Sequence, residues 1–131
     1  MAKFVYPAKL ESDDGHLMVT FPDIPNCLTE GDSLVEALEL AEDALCMILA
    51  DLEDKCEALP APTDINTLHC EQGETLALVK ADTLAYRRRT SHKVIKKTLT
   101  IPCWVNEAAE RHGVNYSQLL QEAILKHIGM E

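Results

Sequence analysis

Basic residues are scarce in the first two thirds of this 131-residue chain. Residues 1 to 85 hold only Lys3, Lys9, Lys55 and Lys80 against eighteen Asp and Glu, a net charge of −14. That balance suits nucleic acid poorly, because a phosphate backbone is met by Lys and Arg. Residues 86 to 131 are short of acids instead, with eight Lys and Arg against four, a net +4. The two parts are therefore expected to meet different partners, since net charge governs association rather than fold. Long apolar runs are absent too: the longest, residues 44 to 50, lies between Asp43 and Asp51, far short of the roughly 18 residues of a membrane helix. The opening residues lack the apolar core of a signal peptide, so a cytoplasmic protein with no membrane association is expected. None of the five cysteines forms a Cys-x-x-Cys pair, and His69-Cys70 is the one adjacent pair of potential ligands. A disulfide framework, a zinc ribbon, a metal and a cofactor are accordingly not expected. With 47 % hydrophobic and 26 % charged residues the chain should fold.

What is present reads first as a β-hairpin. Phe4, Tyr6, Ala8 and Leu10 alternate with Val5, Pro7 and Lys9, Asp14-Gly15 supplies a turn, and His16 to Phe21 returns as a strand. Pro22 and Pro25 break that ladder, and residues 27 to 30 resume as a short strand before Gly31 frees the backbone to turn. Ser33 and Glu36 form a capping box. The helix it starts carries Leu34, Leu38, Ala41, Leu45, Ile48, Leu49 and Leu52 on one face, and that face is expected to pack on the sheet. After Pro60-Ala61-Pro62 and a loop over 63 to 74, Thr75 to Ala81 reads as a further strand. The front domain, residues 1 to 85, is thus predicted as β-β-β-α-β, and the basic stretch 86 to 92 as a linker.

Residues 93 to 131 show another pattern. Lys96, Thr98 and Thr100 alternate with Leu99 and Ile101 in an expected strand that Pro102 ends, in the first turn of a helix. Trp104, Val105, Ala108 and Ala109 make an apolar stripe, Gly113 stops that helix, and Asn115 with Gln118 forms a second capping box before Leu119, Leu120, Ala123, Ile124 and Ile128. About forty residues with one strand cannot bury a sufficient core alone, so the strand is expected to pair with its copy in a homodimer or a higher even oligomer. The outer face of that ribbon would present Lys96, Thr98 and Thr100 to a DNA major groove. Asn115, Tyr116 and Ser117, at the start of the second helix, would bind a phosphate. The order of strand, proline, helix, glycine, cap and helix resembles the ribbon-helix-helix family of bacterial repressors.

A wider resemblance rests on Phe21-Pro22-Asp23-Ile24-Pro25-Asn26-Cys27-Leu28-Thr29-Glu30-Gly31-Asp32, on the helix from Ser33, and on Leu84 to Arg89 leading into Lys97 to Pro102. These are similar to HicB antitoxins that end in a ribbon-helix-helix, although Cys27 stands where members commonly have glycine. The resemblance implies an α+β chain whose front domain has a partial ribonuclease H-like fold and binds HicA, a small basic toxin that cleaves messenger RNA. It further implies the antitoxin of a type II toxin–antitoxin system that neutralises an mRNA interferase and represses its own operon by binding operator DNA. Asp23, Glu30 and Asp32 are the nominated toxin contacts. No enzymatic activity is expected: two-metal chemistry needs several carboxylates converging on ions about 4 Å apart, whereas Asp13 and Asp14 sit in a turn and Glu36 serves a cap. Two rival readings stay open, a repressor that senses a small ligand without a toxin partner, and a scaffold whose ribbon only dimerises.

Overall fold

The computed structural model describes residues 3 to 130. Its elements run β1 (Lys3–Asp13), β2 (His16–Thr20), β3 (Leu28–Gly31), α1 (Leu34–Asp54), β4 (Glu74–Asp82), α2 (Thr83–Thr90), α3 (Cys103–Arg111) and α4 (Tyr116–His127). The chain divides between Thr90 and Ser91 into two compact units.

The front unit is a four-stranded antiparallel sheet in the order β3-β2-β1-β4, with α1 on one face. The expected hairpin is present, with Asp13 opposite His16. Asp14 and Gly15 both take positive φ, 48° and 81°, which matches the twist of a two-residue hairpin turn to that of its strands. Pro7 lies beyond the part of β1 that β2 covers, where a missing N–H is tolerated. Alternation along the strands then puts Tyr6, Ala8, Leu10, Val19, Val79 and Ala81 on the face under α1, all buried. They meet Ala37, Ala41, Leu45, Cys46 and Leu49 of the helix. The buried face is therefore centred on small residues and Leu45. Leu34, expected within it, is 54 % exposed because it sits in the first turn at the sheet margin.

Ser33 caps α1 as expected, its hydroxyl accepting from the Glu36 amide at 3.1 Å, while the Glu36 carboxylate accepts from the amide of Asp32 rather than of Ser33. Gly31 has a different reason from the one the sequence suggested. A Cβ there would stand 2.6 Å from the Ala37 nitrogen and 2.8 Å from its Cα, so glycine lets the first turns of α1 press against the end of β3. At its other end α1 closes with Cys56 at φ 55°, its amide donating to the Glu53 carbonyl and the Glu57 amide to the Leu52 carbonyl. This is a Schellman stop in which a non-glycine residue takes the left-handed position.

Of the stretch expected to be a linker, 86 to 92, residues 86 to 90 are helical and belong to the front unit, and the second unit begins at Ser91. The Asp82 carboxylate accepts from the Ala85 amide at 3.0 Å and so starts α2. Arginines that looked like a solvated run then bind α1.

In the second unit α3 and α4 form a helical pair whose turn holds Gly113 at φ 65°, with the Gly113 and Val114 amides donating to the Glu110 and Ala109 carbonyls. Pro102 is the residue just before α3 rather than part of its first turn. The Asn115 side chain accepts from the Gln118 amide, but the Gln118 side chain turns forward to Glu122 instead of completing a box. Residues 91 to 102 are exposed and form no ladder among the described residues. A ladder needs a second strand, and the described residues of this unit contain none.

Candidate functional site

The second unit has no buried residue in either helix. Trp104 is 72 % exposed, and Leu99, Ile101, Leu119, Leu120, Ile124 and Ile128 are exposed with it. Leu99, Ile101, Leu119, Leu120 and Ala123 line one open concavity of about 540 Å³, with Lys97, Asn106, Tyr116 and Ser117 at its margin. A monomer rarely leaves so much apolar surface contiguous and uncovered. Lys96, Thr98 and Thr100 are all exposed, in the segment whose Lys97, Leu99 and Ile101 line this concavity. Of the expected phosphate-binding trio, Asn115 is occupied as a cap, and the Tyr116 hydroxyl donates to Asn106 Oδ1 at 2.7 Å, which ties the start of α4 back to α3. Ser117 is exposed.

The structure does not gather Asp23, Glu30 and Asp32 into one cluster. Asp23 lies between β2 and β3 and is committed within the fold: one carboxylate oxygen accepts from the Thr63 amide at 2.9 Å and the other from the Thr63 hydroxyl. Together with the Tyr6 hydroxyl, which donates to the Pro60 carbonyl at 2.5 Å, it pins the segment after α1. Burial and then the Asp23 charge raise the pKa of Tyr6 above its ordinary value, keeping it a donor. Glu30 is exposed on edge strand β3, opposite Met18. It shares a shallow hollow with Leu28, Thr29 and Met18. Asp32 pairs with His16 Nδ1 at 2.6 Å, linking the hairpin to the start of α1. Glu30 is thus the one nominated residue with an open carboxylate on an accessible edge.

The electrostatic feature that sequence reasoning missed is the junction of α1 and α2. Arg87 donates to Asp54 Oδ1 and to the Ala50 carbonyl, each at 2.9 Å, and lies 3.5 Å from Glu53 Oε1. That last pair is coulombic: Glu53 Oε1 and Arg87 Nε are buried and make no hydrogen bond. Arg89 donates to Asp43 at 2.7 Å and stands 5.6 Å from the centre of the Tyr86 ring. The signal was available in the sequence, since Asp82 is a good helix cap and opposite charges on α1 stood otherwise unbalanced.

Cys27 and Cys46 are buried, and Cys56, Cys70 and Cys103 are exposed. Burial pushes the Cys27 thiol up to about 11 and raises that of Cys46, so neither is a ready nucleophile.

Comparison with known proteins places these features in a family context. Residues 6 to 124 match the profile of the HicB-like antitoxin of bacterial toxin–antitoxin systems. A stretch of 58 residues, 44 % of this chain, is 45 % identical to antitoxin HicB 1 of Photorhabdus laumondii, and 63 residues, 47 % of this chain, are 38 % identical to antitoxin HicB of Escherichia coli K12. Those stretches span 37 % and 46 % of the relatives' own lengths. Over 95 % of this chain and 99 % of the other, the fold is similar to a chain of a toxin–antitoxin complex from Streptococcus pneumoniae, with 31 % identity and a TM-score of 0.63.

Proposed function

This chain belongs to the HicB-like family of antitoxins of bacterial toxin–antitoxin systems, and on that premise we propose that it neutralises a HicA-type mRNA interferase and represses its own operon. The observation that carries the proposal is the contrast between the units. The front unit buries its own core and bears the acidic charge; the second buries none of its large apolar residues. A self-sufficient acidic body suits capture of a basic ribonuclease. A unit without a core suits obligate pairing with a second copy.

In the pair, residues 96 to 101 form a two-stranded ribbon whose Leu99 and Ile101 close over the apolar concavity. Lys96, Thr98 and Thr100 then read base edges, and the amides of Tyr116 and Ser117 at the start of α4 receive a phosphate. The second unit is on this reading a ribbon-helix-helix, and the front unit, with three strands, a helix and a fourth strand, a partial ribonuclease H-like fold. The protein acts as a binding protein with two separate surfaces, one on each unit, and of the three nominated carboxylates Glu30 is the one with no partner within the described fold. Asp23 and Asp32 act on the toxin side indirectly, by holding the loop at Thr63 and the start of α1.

Co-expression with the HicA-type protein of its own operon tests the first activity, and titration of the operon's promoter DNA tests the second. Rescue of growth together with promoter binding by a dimer or higher even oligomer is expected. Loss of growth despite stable expression of both proteins refutes neutralisation, and a folded monomer at micromolar concentration refutes the paired ribbon.

A further inference from the structure

The outward face of α1 is patterned as regularly as its buried one. Glu36, Leu40, Asp43, Met47, Asp51 and Asp54 follow at steps of four, three, four, four and three, which places them on one stripe of the helix. All six are exposed, Leu40 to 40 % and Met47 to 56 %. Two large apolar side chains set between acids on an otherwise charged face are unusual for a helix whose apolar requirement is already met by the sheet. Charged surroundings alone need no such residues; a docked partner does, because a central apolar anchor within a polar rim is the usual anatomy of an interface. Methionine in particular adapts to an incoming surface.

The chemistry of the occupant can be read from what the helix already holds. Along one flank of this stripe the chain's own arginines are seated, Arg87 on Asp54 and Arg89 on Asp43, the latter beside the Tyr86 ring. The face therefore accepts guanidinium groups in fixed geometry. Glu36 has only its backbone-amide contact, and Asp51 only the exposed Lys55 one turn on. We propose that the Leu40–Met47 stripe of α1 is the surface on which the basic toxin docks, with the apolar pair as its centre and Glu36 and Asp51 receiving arginine or lysine. This rests on the toxin-binding reading above and names its surface. It also shifts the toxin site from the β3 edge at Glu30 to the helix on the opposite face of the sheet.

The test compares two full-length double variants with the wild-type chain, using the HicA-type protein of its own operon as the probe and calorimetric titration as the readout. Leu40→Lys with Met47→Lys replaces exposed side chains and should leave the unfolding midpoint unchanged, yet weaken binding at least about a hundredfold. Leu28→Lys with Glu30→Lys alters the β3 edge and should bind within about threefold of wild type. Normal binding by the α1 variant beside tight wild-type binding overturns the surface and leaves the toxin reading intact. Equal loss in both variants overturns the assignment to α1 alone. Failure of the wild-type chain to bind overturns the toxin reading, and the surface falls with it.

Discussion

Arg87→Ala is the substitution whose cost the structure fixes most sharply. The side chain is 28 % exposed and faces two carboxylates and a carbonyl. Its bond to Asp54, whose side chain is 65 % exposed, is screened by water and contributes no more than about 1 kcal/mol. The bond to the Ala50 carbonyl is charge-assisted and partly buried, and bonds of that kind contribute about 1.5 to 3 kcal/mol. Glu53, with its side chain only 19 % exposed, is left without its cation, and an uncompensated buried charge adds to the loss. The sum expected is about 3 kcal/mol, which for a unit of this size lowers the thermal midpoint by roughly 10 to 20 °C. Arg89→Ala is the internal control. It removes a pair whose side chains are 58 % and 60 % exposed, so it should cost about 1 kcal/mol including the Tyr86 contact. Thermal unfolding followed by circular dichroism reads the front unit. Fluorescence of Trp104, the chain's single tryptophan, reads the second unit and should keep its midpoint in both variants. An Arg87→Ala protein no less stable than Arg89→Ala would refute the picture of α2 latched to α1 by a partly buried guanidinium.

Three further outcomes are expected. Gly31→Ala should destabilise the front unit by about 1 to 3 kcal/mol, because its Cβ meets Ala37 backbone at 2.6 and 2.8 Å; chemical denaturation measures it, and an unchanged midpoint would mean the helix can retreat freely. The Cys27 thiol, raised from 9.0 to about 11 in the folded chain, is protonated there at pH values where an unfolded thiol is not. Stability present below pH 9 should therefore be lost as pH rises through 11, by about 2 to 3 kcal/mol, with Tyr6, raised from its ordinary 10.0, acting in the same sense. Cys27→Ala should flatten that alkaline limb in denaturation series at pH 7, 9 and 10.5, and an identical slope in the variant would sink the assignment. Replacing Thr98 and Thr100 together by Ala should abolish operator recognition in mobility shifts while sedimentation and toxin neutralisation stay unchanged. Leu99→Ala should instead dissociate the pair.

The elements easiest to read from sequence are those whose causes are local. Asp14-Gly15, Ser33 with Glu36, Gly113 and the Asn115 cap each act within a few residues, and each takes the expected place. Readings that depend on a distant neighbour were harder. Gly31 looked like a turn glycine, yet its need arises from Ala37 on the following helix. Arg87 to Arg89 looked like a linker because their counter-ions, Asp43, Glu53 and Asp54, lie more than thirty residues earlier in the chain. Asp23 looked like a surface acid until Thr63, forty residues on, claimed both its oxygens. Residues 96 to 102 extend the same rule beyond the chain. Their alternation is as regular as that of β1, which finds β2 and β4 within its own unit and becomes a strand. The later segment has no such neighbour among the described residues, and Leu99 and Ile101 remain 63 % and 44 % exposed. On the function proposed above, a second copy takes up this unused period of two, since a lone strand with both edges open would satisfy neither its backbone nor its apolar side.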